Sequence, residues 1–189
     1  MRETKDSEER RDEFVDAAEK LFKENGIVDT TVNAIVKEMD VAKGLFYYYF
    51  KSKDDVIEAI SEKYNRDFKE AIRKGMNQDD FYSRLDQFIE NSIVSFQNMW
   101  GRMKGENADI DLTILSSRSL DEAKKVASQT LQKLFEEGNR LEKLDIKNPQ
   151  YYADIIISGI SDLVSKGDAD ADEIKKIIDD LIRKSRKEN

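Results

Sequence analysis

Cysteine and histidine are both absent from the 189 residues. The first absence excludes disulfides and thiolate metal sites; the second removes the commonest general base and metal-binding nitrogen. One proline and eight glycines leave few helix breakers, which favours a chain that is almost all helix. No apolar run approaches the roughly 20 residues that span a bilayer. The charged start, MRETKDSEERRDEF, lacks the apolar stretch of a secretory signal. There is no internal repeat and no low-complexity linker. A phosphate-cradling glycine loop is also missing, and acidic pairs such as Glu8-Glu9 and Asp179-Asp180 fall on solvent faces. Catalytic residues are therefore not expected, nor is a cofactor or a metal. The expectation is a soluble, cytoplasmic protein without membrane contact.

Basic excess is lacking too, since the net charge is −8. Residues 1–53 hold 10 basic and 12 acidic side chains, and the remainder 22 and 28. Non-specific polyanion binders are usually strongly basic. Locally the sign reverses, because Val41 to Lys53 carries Lys43, Lys51 and Lys53 and no acid. An acidic remainder restricts any DNA contact to that one face.

What is present is concentrated in Thr30–Lys53, TTVNAIVKEMDVAKGLFYYYFKSK. Thr30 or Thr31 caps a helix with Val32, Ile35, Val36 and Met39 at helical spacing. Asp40-Val41-Ala42 makes a turn, and Lys43 to Phe50 forms a second helix. Five consecutive aromatics, Phe46 to Phe50, are usually core, but successive helical side chains turn by about 100°, so they cannot all face inward. Phe46, Tyr49 and Phe50 fall on one side; Gly44, Tyr47, Tyr48 and Lys51 fall on the other, with Lys43 and Leu45 at the borders. Phenols and amines on a short second helix suit base edges and phosphates in a DNA major groove. The candidate DNA-binding residues are Thr31, Asn33, Lys43, Gly44, Leu45, Tyr47, Tyr48 and Lys53.

This stretch resembles the helix-turn-helix signature of the TetR family of bacterial transcriptional regulators. The matching string is Thr30-Thr31, Ile35, Val41, Lys43-Gly44, Phe46 to Phe50 and Lys51-Ser52-Lys53, with Phe14, Ala17-Ala18, Leu21-Phe22 and Gly26 upstream. The close match covers residues 10–65. Ala42 stands where a serine is frequent and Leu45 where a small hydroxyl residue is frequent. The resemblance implies an N-terminal three-helix reader, here 1–53, followed by a larger effector-binding and dimerisation domain, here 54–189.

The rest of the chain divides into helices. Helix one runs from Ser7 to Asn25 and stops at Gly26; residues 1–6 read as a frayed tail. Ser52-Lys53-Asp54-Asp55 has the pattern of a capping box opening a helix to about Lys74. Helical spacing from Phe81 to Met103 gives the next, followed by a short helix around Ile110–Leu115. Ser119-Leu120-Asp121-Glu122 reads as a second capping box for a helix to Leu141. Asn148-Pro149 supplies cap and first-turn proline for a helix to Ser165. A last helix begins at Asp170–Glu173 and ends in Arg183-Lys184-Ser185-Arg186-Lys187, cations suited to a helix C-terminus. The fold expected is all-α, with about nine helices.

Two further sites are expected. The helix from Pro149 is apolar on nearly all sides, and the last helix carries an isoleucine/leucine stripe. Both suit pairing with a second copy through Ile156, Gly159, Ile160, Leu163, Ile178 and Leu181. Methionines and aromatics at core spacing also line adaptable pockets, which, with the resemblance, gives a candidate effector set: Phe68, Phe88, Ser92, Phe96, Met99, Trp100, Met103, Thr130 and Tyr152. The function expected is a homodimeric repressor that binds a palindromic double-stranded operator and is released by a small apolar or aromatic effector. The competing reading is a helical protein–protein interaction module that has lost operator binding.

Overall fold

The computed structural model describes residues 7–104, 112–167, 170–183 and 185. Among them are eight helices and no strand: α1 (Ser7–Asn25), α2 (Val32–Glu38), α3 (Lys43–Tyr49), α4 (Lys53–Ala71), α5 (Phe81–Arg102), α6 (Thr113–Arg140), α7 (Pro149–Lys166) and α8 (Ala171–Arg183). The expected tail at 1–6 and most of the basic end beyond Arg183 lie outside the described residues. None of the helices described is long and apolar enough to cross a membrane.

Two compact units result. One joins Met1–Tyr64 to Met103–Ser119; the other joins Asn65–Arg102 to Leu120–Asn189. The first part of α4, with the buried Val56, Ile57, Ile60 and Tyr64, lies in the first of these units, and the rest of the helix lies in the second.

The first unit is built around Phe14 of α1. Its fully buried ring meets Phe46 edge-on at 5.8 Å and Phe50 at 6.2 Å, and Tyr49 at 5.8 Å. Such pairs add about 0.5–1.5 kcal/mol each beyond the area they bury. Gly26, at φ +85°, ends α1 where a side chain would be strained, and its N–H reaches the Phe22 carbonyl at 2.8 Å. The predicted box at the start of α4 is present: Asp55 N–H donates to Ser52 Oγ (3.2 Å) and Asp55 accepts from Lys51 N–H (2.8 Å). The Lys51 N–H first, then the Ser52 hydroxyl, hold the Asp55 carboxyl below its ordinary range.

A polar network ties α1 to α4 within this unit. Glu19 is almost wholly buried and accepts from Lys23 Nζ (2.8 Å), Tyr64 Oη (2.8 Å) and Lys63 Nζ (3.4 Å). Burial raises its pKa, but those hydrogen bonds and the two ammonium charges outweigh burial and leave it lowered. Lys63 also donates to Asp16 at 2.5 Å, and its carboxylate partners raise its pKa against the opposing effect of burial.

In the second unit α5 packs on α7 and α8, and α7 on α8. Its inward side chains are Phe81, Leu85, Phe88, Ile89, Ile93 and Phe96 from α5, Ile156, Ile157 and Ile160 from α7, and Ile174, Ile178 and Ile182 from α8. Asp80 caps α5 through Ser83 N–H at 2.7 Å, a bond that lowers its pKa. Asn91 gathers the carbonyls of Lys74 (2.7 Å) and Ile72 (3.4 Å) just past the end of α4.

Two local expectations fail. Ser119 opens no helix: it is buried inside α6 with no hydrogen bond to its Oγ. The capping-box pattern works only after a non-helical residue, and here no glycine or proline interrupts the chain between Thr113 and Gly138. The short helix expected at 110–115 and its successor are thus one helix as far as the described residues go; Ile110 and Asp111 lie outside them. Asn148, the expected cap of α7, makes no side-chain capping bond, although Pro149 does occupy the first turn.

Candidate nucleic-acid interface

Thr31 caps α2 by accepting from Ala34 N–H at 3.1 Å. The helix ends at Glu38 with Met39 as its C-cap, and the chain reverses through Asp40, at φ 51°. Val41 N–H then reaches back to the Val36 carbonyl at 3.0 Å, the long bond of a Schellman closure. Aspartate tolerates this left-handed conformation better than most side chains. Ala42 precedes α3 without any side-chain cap.

Helix α3 buries Phe46 completely and leaves Tyr47 51% and Tyr48 75% exposed. Lys43 and Gly44 are exposed as well, and nothing lies within 4 Å of the Gly44 Cβ position. The Lys43 ammonium stands 5.9 Å over the Tyr47 ring. Phenol hydroxyls, an amine and an open backbone position therefore share the outer side of one short helix, while Phe46, Tyr49 and Phe50 hold it from behind against Phe14. Hydroxyls and ammonium groups match phosphate oxygens and base acceptors.

Six of the eight sequence-derived DNA residues are exposed: Thr31, Asn33, Lys43, Gly44, Tyr47 and Tyr48. Leu45 is half-buried. Lys53 differs from the expectation of a phosphate contact. Its Nζ donates to the carbonyls of Ile27 (2.5 Å), Val28 (3.2 Å) and Thr30 (2.9 Å), and an ammonium has three donors. Lys53 clamps the α1–α2 loop to the start of α4. Lys51, on the same segment and outside the candidate set, is exposed.

The other two sets are placed differently from expectation. Of the effector set, Phe88, Ser92 and Phe96 are fully buried and Phe68 and Met99 nearly so. The Phe68 and Phe96 rings are in contact at 4.8 Å. Ser92 and Thr130 donate to the Phe88 and Val126 carbonyls, both at 2.8 Å, which are ordinary intrahelical bonds. Trp100 is half-buried with no partner for Nε1, Met103 belongs to the first unit, and Tyr152 is 42% exposed. An aromatic and sulfur stripe at helical spacing has packed as core here. An open groove of about 700 Å³ in the second unit includes Thr130 but no other member of that set.

Of the dimer set, Ile156, Ile160 and Ile178 face the chain's own core. Leu181 is exposed, and Gly159 and Leu163 are half-buried. The outward apolar side chains on α7 and α8 are instead Tyr151, Tyr152, Ile155, Ile177 and Leu181. Periodicity marks both helices as apolar on two sides, and packing on α5 decides which side is spent inside.

A buried aromatic brace carrying an outward tyrosine–lysine helix after a tight turn defines a helix-turn-helix DNA-binding protein. Residues 14–60 match the sequence model of the bacterial regulatory proteins of the tetR family. Over these N-terminal residues the chain is similar to the TetR family of transcriptional regulators. It is 48% identical over 50 residues to the HTH-type transcriptional regulator HbdR of Aromatoleum sp. strain CIB, a match covering 26% of this chain and 22% of that protein. It is 24% identical over 176 residues to the HTH-type transcriptional repressor KstR2 of Mycolicibacterium smegmatis, covering 90% of this chain and 75% of that one. The structure of a SmeT–triclosan complex shares the fold at a TM-score of 0.68 and 18% identity, covering 95% of this chain and 92% of that chain.

Proposed function

We propose that the protein is a homodimeric transcriptional repressor that acts in the cytoplasm on a palindromic operator. The carrying observation is the outer side of α3, where Lys43, Gly44, Tyr47 and Tyr48 are exposed while Phe46 behind them is fully buried. Tyr47 and Tyr48 with Lys51 hold phosphates and fix register; Lys43 and Gly44 approach base edges. The repressor role draws on the likeness to KstR2, whose own designation is repressor. No catalytic role is proposed.

Dimerisation through α7 and α8 completes the reading. Tyr151, Ile155, Ile177 and Leu181 are exposed, and the space around Gly159 is open; a second copy of the same helices would cover both. Two readers then meet half-sites about 34–36 Å apart, one helical turn of DNA. Release by a small apolar or aromatic effector follows the likeness to SmeT, a protein solved with triclosan. Such a ligand must prefer a conformation in which the second unit opens among Phe68, Phe96 and Trp100.

Nuclease footprinting on the DNA flanking the protein's own gene tests this. A protected palindrome with two half-sites one helical turn apart is the expected result. No protected site at any protein concentration favours the interaction-module reading instead.

A further inference from the structure

The open groove in the second unit, of about 700 Å³, runs between the residues just past α4 and the C-terminal turns of α6. Its cations are Arg73, Lys133 and Arg140, all exposed. None of the three makes a side-chain hydrogen bond or ion pair among the described residues. Of the two acids in the lining, Glu137 is already paired with Arg84 of α5, at 2.5 and 3.4 Å. Glu136 accepts from Gln132 at 2.8 Å. Three unpaired cations thus share a concave surface in a chain whose net charge is −8. Beside them Met76 and Leu134 contribute apolar lining.

We infer that this groove binds an anionic amphiphile, a carboxylate or phosphate ester carrying a short apolar chain. Guanidinium forks take two oxygens of either group, Lys133 adds a point charge, and the apolar lining takes the chain. The site lies wholly within the second unit and involves none of the buried aromatic side chains of the effector set. It does not depend on operator binding, and its test uses no DNA.

The test is calorimetric titration of the full chain with octanoate, octyl phosphate and the neutral 1-octanol, all below their aggregation limits. One anion per chain should bind, with octanol at least tenfold weaker. The tighter of octanoate and octyl phosphate identifies which head group the site prefers. Lys133→Ala and Arg140→Ala should each weaken binding about fivefold, the worth of about 1 kcal/mol for one solvated charge contact; the double variant should lose more than tenfold. Lys125→Ala, elsewhere on α6 and paired with Glu122, should bind as the parent does. Melting temperatures confirm that these surface variants fold. Binding that is unchanged in the double variant overturns the inference, as does octanol matching the anions or no heat with either anion.

Discussion

Replacing Tyr64 with phenylalanine probes one of the bonds that fasten α1 to α4. The hydroxyl donates to Glu19 at 2.8 Å, Tyr64 is 1% exposed, and phenylalanine keeps the ring in place. A hydrogen bond to a charged group contributes about 1.5–3 kcal/mol. Lys23 and Lys63 still face the carboxylate, so we expect a loss of about 2 kcal/mol at pH 7. At roughly 2–4 °C per kcal/mol for a chain of this size, that lowers the melting temperature by about 4–8 °C. The sign of the pH dependence follows from Glu19. Its folded pKa lies below the ordinary 4.5, so it stabilises above that value and the contribution is lost as pH falls through the folded pKa. Tyr64→Phe weakens the depression. The gap between parent and variant should therefore be full at pH 7 and smaller at an acidic pH below the folded pKa, where both protonate Glu19. Urea unfolding at the two pH values reads this directly. A gap that stays constant would refute the claim that the hydroxyl acts on a charged carboxylate.

Three further variants probe other contacts. At Gly138 a Cβ would stand 2.6 Å from both Leu144 Cδ1 and Phe81 Cζ, side chains that are themselves buried. Gly138→Ala should cost about 1–2 kcal/mol by overpacking despite alanine's better helix propensity; a raised melting temperature would contradict it. Ala42→Ser supplies the cap α3 lacks and should add about 0.5–1 kcal/mol, seen as a higher urea midpoint. Lys53→Met removes the clamp on the Ile27, Val28 and Thr30 carbonyls. It should speed amide exchange in the α1–α2 loop, an outcome that loss of a phosphate contact alone would not produce.

How much of this could be read from sequence depended on how local each cause is. The reader was legible because its signals lie within a turn or two: the Thr31 cap, the Gly26 stop, the Ser52/Asp55 box and an aromatic run too dense to face one way. Lys53 was not, because what fixes its amine is a set of carbonyls 23 to 26 residues earlier in the chain. The α7 stripe was legible as apolar but not in register. Ile155 and Ile156 are neighbours in sequence, yet one is 70% and the other 4% exposed, and only packing on α5 separates them. Phe88, Phe96 and Met99 look the same in sequence whether they fill a core or line a pocket. Gly138 gave no signal either, since its constraint comes from Phe81 and Leu144. The cationic groove likewise needs α6 brought beside the end of α4.

The central claim is that α3 reads DNA through its outer side, and the most direct measurement is fluorescence anisotropy on the footprinted operator with Tyr48→Ala and Lys43→Ala. Tyr48 is 75% exposed and Lys43 is exposed too, so neither change should disturb the fold. The account predicts that Tyr48→Ala weakens binding to all sequences alike. It predicts that Lys43→Ala costs about 1–3 kcal/mol and relaxes preference at particular base pairs. Both variants binding with the parent's affinity and sequence preference would contradict it.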